Sequence, residues 1–575
     1  MKRLIKILAH LVVMLFIGLL YIPVFAQEPV AETIYMHTDR TVYTAGETIH
    51  YKLYLLDAAT QRRSNLSKVG YVLLRAAYQS PIIKCRVGID SGISTGSIVL
   101  PDTLPSGLYQ LVAFTNSMKN RAEKPFFRNE IVIVNSFDKD FNFKLPVANN
   151  NDVSNSLHNL LKITTNKTIY GTREKVVVSF DKVNLKANLS VSVSEDSNIP
   201  TLYNSILETL RKQGNQALNK PISTDYFPEK SGKILRGKVL DAVTGQNIDK
   251  AIVLLSCVDT VPNLQYALTN SNGTFQMLLG DYYEGKELFL TVRDMPANQH
   301  WKIEIEDEFA QSEIWKPALK YDSGNYKAFL TKTQNIAYIN SSYESDKDTI
   351  TNQSATIKVI CPQFYNCPTR SVLLADYTPL NDFKEIVVEL LPEVRITKDN
   401  GKYNVSMLNG TQKMVSESST VAIFLDGVYV DDAEKIMKLG SEQIQKIDVI
   451  NAERVFGNLI FRGVISIVTK SNEIEKTIPG FGSLRIRNDR ISNPDTYVVD
   501  KTDTLPNRNF PFFRQLLYWN PNLEIKEQEQ TSFDFFTSDN EGNFLIRIEG
   551  VSNDGQPISY SSTIQVVKQS KSTEK

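Results

Sequence analysis

The residues that invite a chemical reading are few and scattered. Gly92-Ile93-Ser94-Thr95-Gly96 has the Gly-x-Ser-x-Gly spacing of a serine-hydrolase elbow. That motif works where an apolar strand precedes the serine and a helix follows it, lifting the hydroxyl over an oxyanion hole. Here Ser97 to Leu100 and Pro101 follow, which reads as strand and turn, so Ser94 is expected in a hairpin of a β-sandwich. Metal chemistry has no better footing. His37, His50, His158 and His300 stand apart, none at i, i+4 spacing and none beside a cysteine pair, whereas zinc needs three or four convergent ligands. Asp539-Asn540-Glu541-Gly542 lacks the leading ligand of a calcium loop, because position 537 is Thr, and reads as a hairpin turn. The GFGS run at Gly480 lacks the third glycine and the helix that would cradle a phosphate. No catalytic residue, metal site or cofactor is expected.

Cysteine chemistry leaves one candidate. Cys361 and Cys367 bracket the CPQFYNC stretch, where five intervening residues permit a small disulfide loop, with two free thiols as the alternative. Cys85 and Cys257 sit in strand-like runs and read as core residues. The disulfide is admissible because the N-terminus reads as an export leader. Lys2, Arg3 and Lys6 precede the apolar run from Leu11 to Ile22, and Val24-Phe25-Ala26 offers the small residues a signal peptidase reads. Cleavage after Ala26 is expected; an uncleaved anchor is the alternative. Without the leader the chain holds 61 basic and 64 acidic residues, a net charge of about −3, and it has no basic runs, which argues against a nucleic-acid partner.

These residues must be positioned by strands. At 575 residues the chain exceeds one core, and about three to five domains are expected. Hydrophobic residues at 42% and aromatics at 10% mark a folded protein, and the Tyr, Phe, Val, Ile and Thr content favours β structure. One unit occurs twice. Asp39, Arg40, Thr41, Val42, Tyr43 and Glu47 align with Asn166, Lys167, Thr168, Ile169, Tyr170 and Glu174, an offset of 127 residues. After each Glu the apolar residues alternate: Ile49, Tyr51 and Leu53, then Val176, Val178 and Phe180. Period two means a strand with one buried face. Tyr203 to Leu218 reads as one amphipathic helix, and residues 137–160 as a polar linker.

Several of these stretches carry resemblances. The Tyr-x-x-Gly-Glu strand and the later LPSGLYQLVAF run resemble a macroglobulin-type β-sandwich, and residues from about 161 to 193 resemble a second one less clearly. Residues 233–310, with the turns Asp-Ala-Val-Thr-Gly and Asn270-Ser271-Asn272-Gly273, resemble a carboxypeptidase-regulatory-type sandwich. VAIFLDGVYVDD, SEQIQKIDVINAERVFGN and LIFRGVISIVTK strongly resemble the plug domain of TonB-dependent receptors, with Asp426-Gly427 as a structural turn and Gly463 opening the last strand. Only 105 residues follow Lys470, far short of a barrel of about 22 strands. The Cys-Gly-Glu-Gln thioester of macroglobulin-type protease traps is absent.

The expected architecture is mainly β and multidomain: serial β-sandwiches plus a small α+β plug-like module. The expected boundaries are a leader (1–26), sandwiches at 27–137 and 138–230, the regulatory-type sandwich at 231–310, an irregular connector at 311–395, the plug-like module at 396–475 and a terminal sandwich at 476–575. The order resembles that of exported Bacteroidetes proteins that carry receptor modules without a pore. It implies a non-enzymatic binding or assembly protein of the periplasm or outer membrane, docking to an outer-membrane protein partner through Val421 to Lys470. A thioester-free protease inhibitor, with a bait stretch near 147–156, is the alternative.

Overall fold

A computed structural model describes residues 31–121, 124–139, 145–146, 161–197, 203–217, 225–293, 300–309, 315–316, 321–322, 326–343, 367–399, 401–408, 421–471, 484–492 and 510–568. The leader, the bait candidate at 147–156, His158, Cys361 and the GFGS run lie outside the described residues. The protein is mainly β and multidomain.

The first copy of the repeat opens a sandwich of β1 (Glu32–Thr38), β2 (Val42–Thr44), β3 (Thr48–Asp57), β4 (Val69–Ala76), β5 (Pro81–Gly88), β6 (Ile93–Val99), β7 (Gly107–Thr115) and β8 (Phe127–Val134). A three-stranded sheet ordered β1-β3-β6 faces a five-stranded sheet ordered β2-β8-β7-β4-β5. Tyr35, Leu53, Leu55, Leu73, Phe114 and Ile131 share its buried core, each large side chain contributing about 1.5–3 kcal/mol by leaving water.

The repeated residues turn out to be a hydrogen-bonded clip. Tyr43 Oη donates to Asp39 Oδ1 at 2.7 Å and accepts from the Arg40 N–H at 3.2 Å. Asp39 Oδ1 also accepts from the His50 N–H at 3.0 Å, and Glu47 Oε2 accepts from the Thr44 N–H at 2.6 Å. The second copy reproduces each bond. Tyr170 Oη reaches Asn166 Oδ1 at 2.8 Å, that oxygen takes the Val177 N–H at 2.9 Å, and Glu174 Oε2 takes the Gly171 N–H at 2.6 Å. The clip pairs backbone donors that the tight reversal into the strand would leave unmet.

Beyond β9 (Leu145–Pro146), the second copy supplies β10 (Ile163–Thr165), β11 (Ile169–Gly171), β12 (Lys175–Phe180), β13 (Ala187–Glu195) and helix α1 (Ile206–Ala217). The regulatory-like module follows as β14 (Lys233–Asp241), β15 (Ile252–Cys257), β16 (Gln265–Leu268), β17 (Thr274–Leu279), β18 (Glu287–Arg293) and β19 (Trp301–Ile305). After β20 (Tyr321–Asp322), which pairs with β9, and helix α2 (Tyr326–Tyr343) come β21 (Arg370–Leu373) and α3 (Phe383–Leu390). Then follow β22 (Val394–Asp399), β23 (Lys402–Met407), β24 (Ala422–Leu425), β25 (Val428–Val430), β26 (Ile444–Ile450), β27 (Arg454–Phe456), β28 (Leu459–Phe461) and β29 (Val464–Thr469). The last strands are β30 (Leu484–Arg487), β31 (Leu516–Ile525), β32 (Thr531–Phe536), β33 (Gly542–Ser552) and β34 (Pro557–Val567).

Three boundaries differ from the expectation. The stretches 138–230 and 476–575 do not form two sandwiches. Their strands interleave in one, with sheets ordered β10-β12-β32 and β11-β34-β33-β13-β31. The physical reason is strand supply: β10 and β11 have three residues each, and so few short strands cannot close a core alone. Phe180, Val191, Phe533, Phe544 and Ile548 now share one core. The connector 311–395 is not wholly irregular, since it holds α2 and gives β21 and α3 to the plug-like module. Finally, β30 leaves the terminal stretch to pair with β18 of the regulatory-like sandwich.

Candidate interaction surface

The plug-like module is a five-stranded sheet ordered β21-β26-β29-β24-β25. Its β24–β25 hairpin closes through two residues, with Leu425 facing Val428. Asp426 and Gly427 both have positive φ, 46° and 82°, the type I′ geometry that Asp-Gly favours because its twist matches the flanking strands. The Asp426 side chain is fully buried and works as a bracket. Its Oδ1 accepts from the Thr469 N–H and its Oδ2 from the Thr469 hydroxyl, both at 2.7 Å. Burial raises the carboxyl's pKa, and the two Thr469 bonds oppose that rise.

Gly427 is needed for a different reason. A Cβ there would stand 2.7 Å from the carbonyl oxygens of Cys257 and Asp259, inside contact distance. The turn is therefore wedged against the end of β15 in the neighbouring sandwich. Asp426 O accepts from the Asp259 N–H at 2.9 Å, and the Tyr429 N–H donates to Ser256 Oγ at 3.1 Å. Gly463 has φ 153°, and a Cβ on it would meet Met407 Sδ and lie 2.9 Å from Ile450 O. Asp426, Gly427 and Gly463 are thus brought into one sheet as structural positions.

The edges of this sheet are unequal. Within the Val421 to Lys470 segment the sheet's own edge, β25, lies buried against β15. Phe424, Tyr429 and Val464 pack with Leu254 and Leu264 of the sandwich. The opposite edge belongs to β21, outside that segment, which among the described residues pairs only with β26. There Arg370 and Ser371 are exposed and Leu373 is 48% exposed, with Tyr377 beside it in the chain at 48%. Val449 turns its carbonyl toward β21, where it accepts from the Thr369 N–H, and its register partner is Arg370. By the two-residue alternation of an antiparallel ladder the Arg370 N–H therefore faces β26 and the Ser371 N–H points away from it. Helix α3 covers the face behind this edge, placing Phe383, Ile386 and Val387 on Val372, Ile447 and Ile467. It is capped by Asp382, whose side chain accepts from the Glu385 N–H at 2.9 Å.

The other candidates are not assembled into chemistry. Ser94 lies in β6, 1% exposed, opposite Leu53, just past a tight turn at Ser91 and Gly92. No helix follows it, so it is a strand residue and not an elbow. Asp539 is gripped by Arg173 through two contacts of 2.6 Å, at the turn into β33. Among the described residues no three His, Cys, Asp or Glu side chains converge on a metal position. Cys85 is half-buried, Cys257 is buried, and Cys367 is exposed with a free thiol. No helix among the described residues is long and apolar enough to cross a membrane.

What the sequence did not reveal is the polar joint between the two larger sandwiches. Lys52 is completely buried in β3, and its Nζ donates to Pro521 O at 2.6 Å and to Asn188 Oδ1. Tyr54 Oη donates to Glu549 O at 3.0 Å, and His37 Nδ1 stands 2.7 Å from Ser190 Oγ. Burial pushes the His37 imidazole well below its ordinary pKa. The one available signal was a lysine at an inward place in an apolar strand.

No family model and no curated protein matches the chain. Among solved structures, Escherichia coli alpha-2-macroglobulin activated by porcine elastase aligns over 94% of this chain and 44% of its own, at 9% identity and a TM-score of 0.25. Salmonella alpha-2-macroglobulin reacted with methylamine aligns over 95% of this chain and 40% of its own, at 9% identity and a TM-score of 0.24. The chain thus spans less than half the length of either. Similarity this remote carries nothing about activity.

Proposed function

We propose that the chain is a non-enzymatic, extracytoplasmic binding or assembly protein whose plug-like module docks to an outer-membrane protein partner. The observation that supports this reading is the asymmetry of the module's sheet. One edge is sealed onto a neighbouring sandwich, which fixes the sheet, and the other presents β21 with its outward backbone groups and apolar Leu373 uncovered. An edge of this kind is a template for an added strand, each new backbone hydrogen bond contributing about 0.5–1.5 kcal/mol net.

The test is crosslinking of the tagged chain in its native envelope, followed by identification of what co-purifies. Wild type should recover an outer-membrane barrel or an export component. Ser371→Pro removes an outward N–H while leaving the β26 ladder intact, and should abolish that recovery. Unchanged recovery with Ser371→Pro, or recovery of proteases alone, would overturn the docking role.

A further inference from the structure

Lys233, Asn488 and Glu308 are far apart in sequence and meet inside the regulatory-like sandwich. Lys233 opens β14 in the sheet ordered β17-β14-β19, whereas Asn488 follows β30 in the facing sheet ordered β16-β15-β18-β30. Lys233 is 6% exposed and Asn488 4%. Lys233 Nζ lies 3.3 Å from Asn488 Oδ1 and 2.6 Å from Glu308 Oε2. A lysine amine thus faces a carboxamide across the sandwich, with a carboxylate in contact with the amine.

Each of the three is held. Asn488 is fixed through its backbone, its O accepting from the Gly285 N–H at 2.8 Å and its N–H donating to Lys286 O at 3.1 Å. Its Nδ2 donates to Tyr283 O at 2.8 Å, which turns Oδ1 toward the lysine. Glu308 is steadied by Arg86, whose Nε donates to Oε1 at 2.8 Å. Burial lowers the pKa of the Lys233 ammonium; Glu308 opposes that shift and Arg86 adds to it. A desolvated lysine beside a proton acceptor is the usual activated amine nucleophile, and close confinement of the reacting groups replaces the concentration a free amine would need.

We propose that Lys233 and Asn488 join in an intramolecular isopeptide bond, with Glu308 moving the proton. The Lys233 ammonium gives a proton to the Glu308 carboxylate, and the neutral Nζ attacks Asn488 Cγ, forming the new C–N bond. Glu308 returns the proton to the departing amino group, the Cγ–Nδ2 bond breaks, and ammonia leaves, carrying the lysine's second proton as ammonium. One ammonium and one carboxamide become one secondary amide and one ammonium ion, so no oxidant or co-reactant is required. The bond would stitch the two sheets of the sandwich together. Residues 233 and 488 also bracket the plug-like module in the chain, so the bond would tether both of its connections at one point.

Peptide mapping by mass spectrometry of the full chain tests this. The peptide holding Lys233 should appear joined to the peptide holding Asn488, lighter than their sum by one ammonia, and cleavage after Lys233 should be blocked. Glu308→Gln, which preserves shape, should yield folded chain with the two peptides separate. Separate peptides of full mass in the wild type would overturn the bond. A joined pair in both wild type and Glu308→Gln would overturn the role given to Glu308.

Discussion

Replacing Gly427 with alanine probes how firmly the plug-like sheet is held, because Gly401 provides an internal reference. The two glycines have nearly equal φ, 82° and 84°, so each alanine incurs the same left-handed backbone cost of about 1–2 kcal/mol. Their surroundings differ. An added Cβ on Gly401 meets nothing within 4 Å, whereas on Gly427 it meets the Cys257 and Asp259 carbonyl oxygens at 2.7 Å and Asp259 N at 2.8 Å. The turn must withdraw, loosening the Asp259 N–H to Asp426 O bond and then the Tyr429 N–H to Ser256 bond. Together these losses add about 2–3 kcal/mol, so Gly427→Ala should open the joint about 30-fold or more beyond Gly401→Ala. Native-state hydrogen exchange at the Asp259 and Tyr429 amides reads this locally, which matters because a chain of several domains has no single unfolding free energy. Equal effects of the two substitutions, or unchanged protection at those amides, would refute a turn wedged against β15.

Asp39→Asn should be close to neutral, since Asn166 makes the same bonds in the second copy, while Asp39→Ala should cost about 1–3 kcal/mol by removing the acceptor of the His50 N–H, the Tyr43 hydroxyl keeping Arg40 O; exchange at the His50 amide separates the two. Glu549 is fully buried, and burial pushes its carboxyl up to about 7, against about 4.3 in an unfolded chain. The folded state therefore holds that proton more tightly. Its stabilisation is fully present in acid, falls as pH rises from about 4.3 through about 7, and is level above that. Protection of the Ile206 amide, which donates to Glu549 Oε2 at 3.1 Å, should follow this course after correction for intrinsic exchange, and Glu549→Gln should flatten it. A maleimide should label Cys367 in the folded protein and reach Cys257 only after denaturation; a Cys367 that resists labelling until reduced would instead support its pairing with Cys361.

Local features were readable before the fold was seen, and distant ones were not. The Tyr43 and Tyr170 clips announce themselves because every partner lies within 11 residues in the chain. Asp426-Gly427 was legible as a turn through the plug-domain resemblance, and the two-residue reversal it closes is one that Asp-Gly favours. The union of β13 with β33 was not, because the Ser190 hydroxyl and Glu549 O that meet there are 359 residues apart, and period two tells a strand its faces but not its neighbour. Period two also failed to show which edge of the plug-like sheet is sealed, since Ser256 and Asp259 belong to a different module. Lys233, Glu308 and Asn488 carry no local signature at all; each reads alone as a surface residue, and only the closing of two sheets brings them together.

The interleaved sandwich makes everything between β13 and β31 an insertion in a single folding unit. During synthesis the strands β12 and β13 emerge first and must wait, with their edges unpaired, until β31 to β34 follow. Pairings this distant in the chain form slowly, so this sandwich should be the last to close, and its closure draws both exits of the insertion to one place. A chain interrupted between β13 and β31 would be left with bare strand edges, a state that proteases and chaperones can distinguish from the finished molecule.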